Sequence, residues 1–149
     1  MRVLIIEDGF EYSETLGQFL PDLEWVRAGS GPQALALLAT SEFEAVFLDM
    51  RFDRAPEGEL LGDIEAVADR HNGDPVAARR FMEDHQGMFV LAALREAGSD
   101  LPVLLSYDFD GEPHRWTRLS ERHAPVDYLP DNASPTDVSR RLLRLVGAR

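Results

Sequence analysis

Three acidic residues stand directly after two short apolar runs of the sequence. Glu7 and Asp8 follow RVLII (2–6), and Asp49 follows AVFL at 45–48. Carboxylates that converge in one crevice repel one another, and a hard divalent cation with oxygen ligands relieves that repulsion; Mg²⁺ suits a few protein carboxylates combined with water and phosphate oxygens. The pattern therefore predicts a metal-holding cluster in which one carboxylate can act as a nucleophile.

The elements that must position these acids alternate along the chain. Apolar runs predict strands at 2–6, 24–29, 45–49, 101–106 and 126–129, and helical patterns predict helices at 10–20, 31–43, 88–98, 113–124 and 134–146. This order predicts an α/β fold of the (βα)5 type, a doubly wound five-stranded parallel sheet of order 2-1-3-4-5 with helices on both faces. The first and third strands are then neighbours, so Glu7, Asp8 and Asp49 should meet at the carboxyl edge, where ligands bind in open parallel sheets.

The segment 53–86 interrupts the alternation. It carries nine acidic residues against four arginines, with helical stretches at 60–70 and 74–85. We expect a partly helical insertion after the third strand, within a single domain that spans 1–149. Because the insertion leaves the sheet beside the acidic cluster, it could cover the site or offer a surface to a partner. It could equally be a surface excursion, since loop-closure entropy penalises length only slowly.

Composition excludes several functions. The net charge of −12 argues against nucleic-acid binding, which depends on Lys and Arg at phosphates. The chain has no cysteine, so disulfides, thiolate zinc sites and cysteine nucleophiles are excluded. No apolar run approaches the roughly 20 residues that span a bilayer, and no basic leader precedes the first strand. We therefore expect a cytoplasmic protein that binds neither membranes nor nucleic acid.

Taken together, these pieces resemble the receiver domain of two-component response regulators. The resemblance covers nearly the whole chain except the insertion. It rests on RVLIIEDG (2–9), AVFLDM (45–50), GMFVLAALRE (87–96), PVLLS (102–106) and VDYL (126–129). It implies a flavodoxin/CheY-like fold and a stand-alone signalling domain in a phosphorelay, with catalysis limited at most to self-phosphotransfer.

The resemblance also implies a role for each matching acid. Asp49 is implied as the phosphoacceptor, which attacks a phosphohistidine phosphorus in line to give an acyl phosphate. Glu7, Asp8 and Asp49, with the backbone carbonyl of Arg51, are implied as ligands of Mg²⁺ or Mn²⁺. The alternative for Glu7 and Asp8 is a turn that caps the helix starting near residue 10.

Two further residues match the family pattern. Ser106 is implied as the hydroxyl that hydrogen-bonds the phosphoryl group and moves with it on activation, although the usual spacing from Pro102 would reach Tyr107 instead. Tyr128 matches the aromatic whose rotamer reports the state of the site. A plain strand-end serine and an ordinary core or interface tyrosine are the alternatives.

One position departs from the family pattern. Asp131 stands where the family has a lysine, and all fifteen basic residues of this chain are arginine. The missing lysine removes a charge-assisted contact to the phosphoryl group worth about 1.5–3 kcal/mol. Either phosphorylation is weakened or lost, which leaves a phosphorylation-independent pseudo-receiver, or an arginine takes over part of the role. Arg51, Arg54 and Arg115 are candidates by position.

A metal-dependent phosphohydrolase on the same scaffold is a rival hypothesis. His114 follows the fourth strand on the catalytic edge and could supply acid–base chemistry. The other histidines, His71, His85 and His123, are expected to be solvated. No HxxxH or HxH spacing predicts a zinc site.

A third hypothesis is a pure interaction module. The resemblance implies that a histidine kinase or phosphotransfer protein supplies the phosphoryl group and that an unknown output protein receives the signal. The face formed by helix 113–124, strand 126–129 and helix 134–146 is the expected contact surface and a possible homodimer interface. Trp116, Tyr128 and three arginines would lie near it, and aromatic and arginine residues are common interface anchors. These arginines are Arg140, Arg141 and Arg144.

Overall fold

A computed structural model describes residues 1–56 and 58–148. Position 57, in the expected insertion, and position 149, the last residue of the expected domain, lie outside the described residues. The elements in chain order are β1 (Arg2–Ile6), α1 (Glu11–Phe19), β2 (Glu24–Ala28), α2 (Gly31–Thr40), β3 (Ala45–Asp49), α3 (Ile64–Asp69), α4 (Pro75–Asp84), α5 (Gln86–Glu96), β4 (Val103–Ser106), α6 (Pro113–His123), β5 (Val126–Tyr128) and α7 (Pro135–Gly147).

The sheet has the predicted topology. Its five strands are parallel and lie in the order β2-β1-β3-β4-β5, so the α/β fold class and the strand order are confirmed. The register pairs Ile6 with Leu48 and Asp49 with Ser106. The carboxyl ends of β1, β3 and β4 therefore lie side by side at one edge.

Both faces of the sheet are covered by helices, which is why the central strands read as continuous apolar runs. On one face, Leu4, Val46 and Leu48 pack with residues of α2, α5 and α6. On the other face, Ile5 and Phe47 pack with residues of α1 and α7. This two-sided core fixes the strand ends, and with them the residues that follow each strand. No helix in the described ranges is long and apolar enough to cross a membrane.

The insertion contains both helices that the sequence predicts, as α3 and α4. They pack around a small core of their own, with Val67, Ala78 and Met82 buried in it. The fully buried Gln86 joins this unit to the main domain: its amide accepts from the Leu61 N–H at 2.6 Å and donates to the Leu61 carbonyl at 3.0 Å. The insertion is thus fastened to the start of α5.

Candidate functional site

Asp49 ends β3 and is partly buried at the carboxyl edge of the sheet. Its Oδ1 accepts a hydrogen bond from the Met50 N–H at 2.9 Å. Burial of the carboxyl group, together with the nearby negative charges of Asp8 and Glu7, raises its pKa to about 7. Asp49 therefore carries a full negative charge only above neutral pH.

Gly87 sets the position of Asp49 from the helix side. Its N–H donates to the Met50 carbonyl at 2.9 Å. A Cβ at Gly87 would lie 2.6 Å from the Asp49 carbonyl oxygen and 2.8 Å from the Met50 Cα. Only a glycine lets α5 begin this close to the end of β3.

Glu7 is almost fully buried, with 1% of its surface exposed. Its two carboxylate oxygens accept from the N–H groups of Tyr12, at 3.1 Å, and Ser13, at 2.7 Å. These are unpaired donors of the first turn of α1, where a negative charge is also favoured by the helix dipole. The helix-capping alternative thus describes the hydrogen bonds that Glu7 makes.

Asp8 is held by an arginine from the loop after β3. Its side chain is only 2% exposed; its Oδ2 accepts from the Arg54 N–H at 2.7 Å, and its Oδ1 lies 3.5 Å from the Arg54 Nη2. The same guanidinium binds both oxygens of Glu11, at 2.8 Å and 3.1 Å. The hydrogen bond from Arg54 lowers the pKa of Glu11 to about 2.

Of the three arginines proposed from position, Arg54 is the one that contacts the predicted acidic set. Arg51 pairs with Asp84 at 3.1 Å, in the insertion. Arg115 lies 3.1 Å from both Glu112 and the Nδ1 of His85. Arg54 is therefore the candidate for a positive charge at the pocket.

Ser106, and not Tyr107, faces this site. It lies directly opposite Asp49 in the register of β3 and β4, and its Oγ donates to the hydroxyl of Tyr12 at 2.6 Å. The hydroxyl of Tyr107 instead donates to Glu112 at 2.6 Å. Tyr12 itself packs on Phe47 with the ring centres 5.0 Å apart.

Tyr128 and Asp131 lie beyond this cluster. The Tyr128 ring packs against Trp116 with centres 4.7 Å apart, and its hydroxyl donates to Asp110. Asp131 is exposed, and its N–H donates to Asp108 at 2.8 Å. The residue at the family's lysine position thus does not join the buried carboxylates.

The side chains of the predicted metal set have partners of their own. In the part of the chain that the structure describes, no group of three or more His, Asp or Glu side chains is placed to hold a metal ion. Glu7 accepts hydrogen bonds from the first turn of α1, and Asp8 accepts one from Arg54. In this arrangement Glu7 and Asp8 have partners of the chain itself in place of a cation, and the set of Glu7, Asp8, Asp49 and the Arg51 carbonyl stays a prediction.

Tyr12 and Glu11 belong to the site but were missed by the sequence analysis. Both lie in the first turn of α1, where the Tyr12 hydroxyl accepts from Ser106 and Glu11 binds Arg54. Their place in the sequence, shortly after Glu7 and Asp8, could have predicted this. The first turn of a helix that follows β1 lies at the carboxyl edge of the sheet, beside the acidic pair.

Sequence comparisons relate part of the chain to one curated protein. No protein-family model matches the chain. A response regulator receiver protein of Anaeromyxobacter sp. is 33% identical over 99 residues, which is 65% of this chain and 39% of that relative. The chain therefore spans about two fifths of the length of the curated relative that it matches.

Solved structures of receiver domains share the fold. The receiver domain of Francisella response regulator 1452 has a TM-score of 0.66 at 15% identity, covering 99% of this chain and 97% of the other. The NtrX receiver domain of Brucella abortus has a TM-score of 0.66 at 17% identity and 99% coverage of both chains. Vibrio cholerae CheY4 has a TM-score of 0.62 at 16% identity and 97% coverage of both. Sequence similarity over 99 residues and the shared fold together relate this chain to the response-regulator receiver domains.

Proposed function

We propose that this chain acts as a response-regulator receiver domain, which accepts a phosphoryl group on Asp49 and passes the signal to a protein partner. The observation that carries the proposal is the register of β3 and β4, which sets a carboxylate and a hydroxyl, Asp49 and Ser106, opposite each other at the open edge of the sheet. A nucleophile beside a hydrogen-bond donor is the pair that phosphoryl transfer to a side chain needs.

The transfer step uses the Asp49 carboxylate as nucleophile. One carboxylate oxygen attacks the phosphorus of a phosphohistidine on a histidine kinase or phosphotransfer protein. The new O–P bond gives an acyl phosphate as the N–P bond breaks, and the departing imidazole keeps that electron pair. The Met50 N–H, which already binds Oδ1, holds the carboxylate in place. Ser106 would turn its hydroxyl from Tyr12 to a phosphoryl oxygen.

A second candidate is a phosphorylation-independent pseudo-receiver. It is favoured by the pKa of about 7 for Asp49 and by the engagement of Asp8 with Arg54. The absence of lysine from the whole chain favours it too. In this case the face of α6, β5 and α7, with the packed rings of Trp116 and Tyr128, would bind its partner constitutively. The hydrolase hypothesis gains no support, because His114 is exposed in the first turn of α6.

A phosphoryl mimic separates these candidates. Beryllofluoride is titrated against the protein in the presence of Mg²⁺ or Mn²⁺, with Trp116 fluorescence as the readout, since Trp116 contacts Tyr128. A saturable change in the wild type that is absent from Asp49→Asn supports the phosphoacceptor. No change in the wild type, with partner binding unaffected by the mimic, supports the pseudo-receiver.

A further inference from the structure

We propose that Arg54 is the counter-ion of the acidic pocket, supplied by the chain itself: it neutralises Asp8 at the place where the family resemblance puts a divalent cation. An external cation then has to displace Arg54 before it can bind. The inference rests on the proposed function only in taking Asp8 and Asp49 as parts of one functional pocket.

The contacts of Asp8 are the first observation that supports Arg54 as its counter-ion. A carboxylate that is 2% exposed requires compensation, because burial of an unpaired charge is costly. Both of its oxygens face Arg54, one toward the main-chain N–H at 2.7 Å and the other toward Nη2 at 3.5 Å. Asp8 is thus paired with Arg54 through both the main chain and the guanidinium.

The position of Arg54 is fixed from two sides. Glu11 binds its guanidinium with two hydrogen bonds, a bidentate geometry that orients the planar group. Two residues before Arg54, Phe52 is 1% exposed in the core, and its N–H donates to the Glu83 carbonyl at 2.8 Å. The loop that carries Arg54 is therefore anchored, and its guanidinium is directed over Asp8.

Gly9 provides the space for this arrangement. A Cβ at Gly9 would collide with the Arg54 Nη2 and with a carboxylate oxygen of Glu11. The backbone at Gly9 is not in the left-handed region, so an added methyl group would displace these two flexible side-chain ends without straining the backbone. An alanine there would push the guanidinium away from Asp8 without changing any charge.

The test compares cation binding in matched variants. Mn²⁺ and Mg²⁺ are titrated calorimetrically into the wild type, Arg54→Gln and Arg2→Gln at constant ionic strength. Arg2 is the control, since it lies at the amino end of β1, at the opposite edge of the sheet, and pairs with Glu24 at 3.3 Å. We expect Arg54→Gln to bind cations about tenfold or more tighter than the wild type, the scale of one charge-assisted contact. Arg2→Gln should match the wild type.

A second variant covers the case in which Arg54→Gln fails to fold. Gly9→Ala keeps every charge, and we expect it to tighten cation binding in the same direction. Equal affinity in the wild type and the folded variants, or no binding in any of them, overturns the inference. Tighter binding in the variants without any response of Asp49 to a phosphoryl mimic would uphold the inference and defeat the proposed phosphoacceptor, so the two failures are distinguishable.

Discussion

Ser106 lies directly opposite Asp49 across β3 and β4, yet its hydroxyl hydrogen is donated to Tyr12 and not to the carboxylate. The two groups that the proposed reaction needs are thus adjacent, while one of them is held by a third residue. Tyr12 is in turn fixed by its ring contact with Phe47 and by the hydrogen bond from its N–H to Glu7.

Removal of the Tyr12 hydroxyl should release Ser106. In Tyr12→Phe the ring contact with Phe47 is kept and one hydrogen bond is lost, so the free energy of unfolding should fall by about 1 kcal/mol. The rate at which a small phosphodonor modifies Asp49 should rise, because Ser106 no longer has to leave Tyr12. Urea unfolding and phosphorylation rates measure the two effects. A rate that falls as far in Tyr12→Phe as in Ser106→Ala would show that Tyr12 assists the hydroxyl instead.

The raised pKa of Asp49 predicts a pH-dependent stability. Between its ordinary value of 3.8 and its folded value of about 7, the folded chain keeps a proton that the unfolded chain has released. This part of the free energy of unfolding is complete below about pH 4 and is lost as the pH rises through about 7. Asp49→Asn lacks that loss, so at about pH 8 it should be more stable than the wild type by roughly 2–4 kcal/mol. Urea unfolding at several pH values measures the difference, and a difference that is independent of pH would contradict the burial of a charged Asp49.

Gly87 and Gly17 form a matched pair of glycine sites. Gly87→Ala should destabilise the domain by about 1–3 kcal/mol, because the added methyl group meets the backbone of Asp49 and Met50. It should also weaken the response of Asp49 to a phosphoryl mimic. Gly17→Ala, in α1 with nothing within 4 Å of the new Cβ, should stabilise the chain by up to about 1 kcal/mol. Thermal unfolding of both variants gives the comparison, and equal effects would refute the close approach of α5 to β3.

Gln86 should hold the insertion on the domain. Gln86→Leu leaves the Leu61 N–H and carbonyl without their partner, which should cost about 1–3 kcal/mol. Amide hydrogen exchange should rise in the segment 59–62 more than in the sheet. Gln18→Leu is the control, since Gln18 is exposed on α1. Unchanged exchange at 59–62 in Gln86→Leu would mean that other contacts fix the insertion.

The fold could be predicted from the sequence because its signals are local. Continuous apolar runs such as RVLII mark strands covered on both faces, and each strand ended within one residue of the prediction at β1, β2 and β3. The alternation of strands and helices predicted a parallel sheet with right-handed crossovers. The order 2-1-3-4-5 is one of the common doubly wound orders, and the alternation alone does not select it. Both insertion helices were also predicted from their helical patterns, and the structure shows Asp63 and Asp74 as their N-caps.

The site was only partly predictable, because side-chain direction depends on contacts between distant segments. The ends of the strands predicted that Glu7, Asp8 and Asp49 lie at one edge of the sheet. They did not predict that the Glu7 carboxylate accepts hydrogen bonds from the first turn of α1. The choice of Arg54 over Arg51 depends on the burial of Phe52 between them, which sets the direction of the loop. No local sequence pattern predicts that Phe52 is buried in the core.

Site-specific mass spectrometry after reaction with acetyl phosphate tests the central claim most directly. The account predicts one acyl phosphate, on the peptide that contains Asp49, that is absent from Asp49→Asn and accumulates more slowly in Ser106→Ala. A wild-type chain that stays unmodified at Asp49, while a standard receiver domain in the same reaction is phosphorylated, would contradict it.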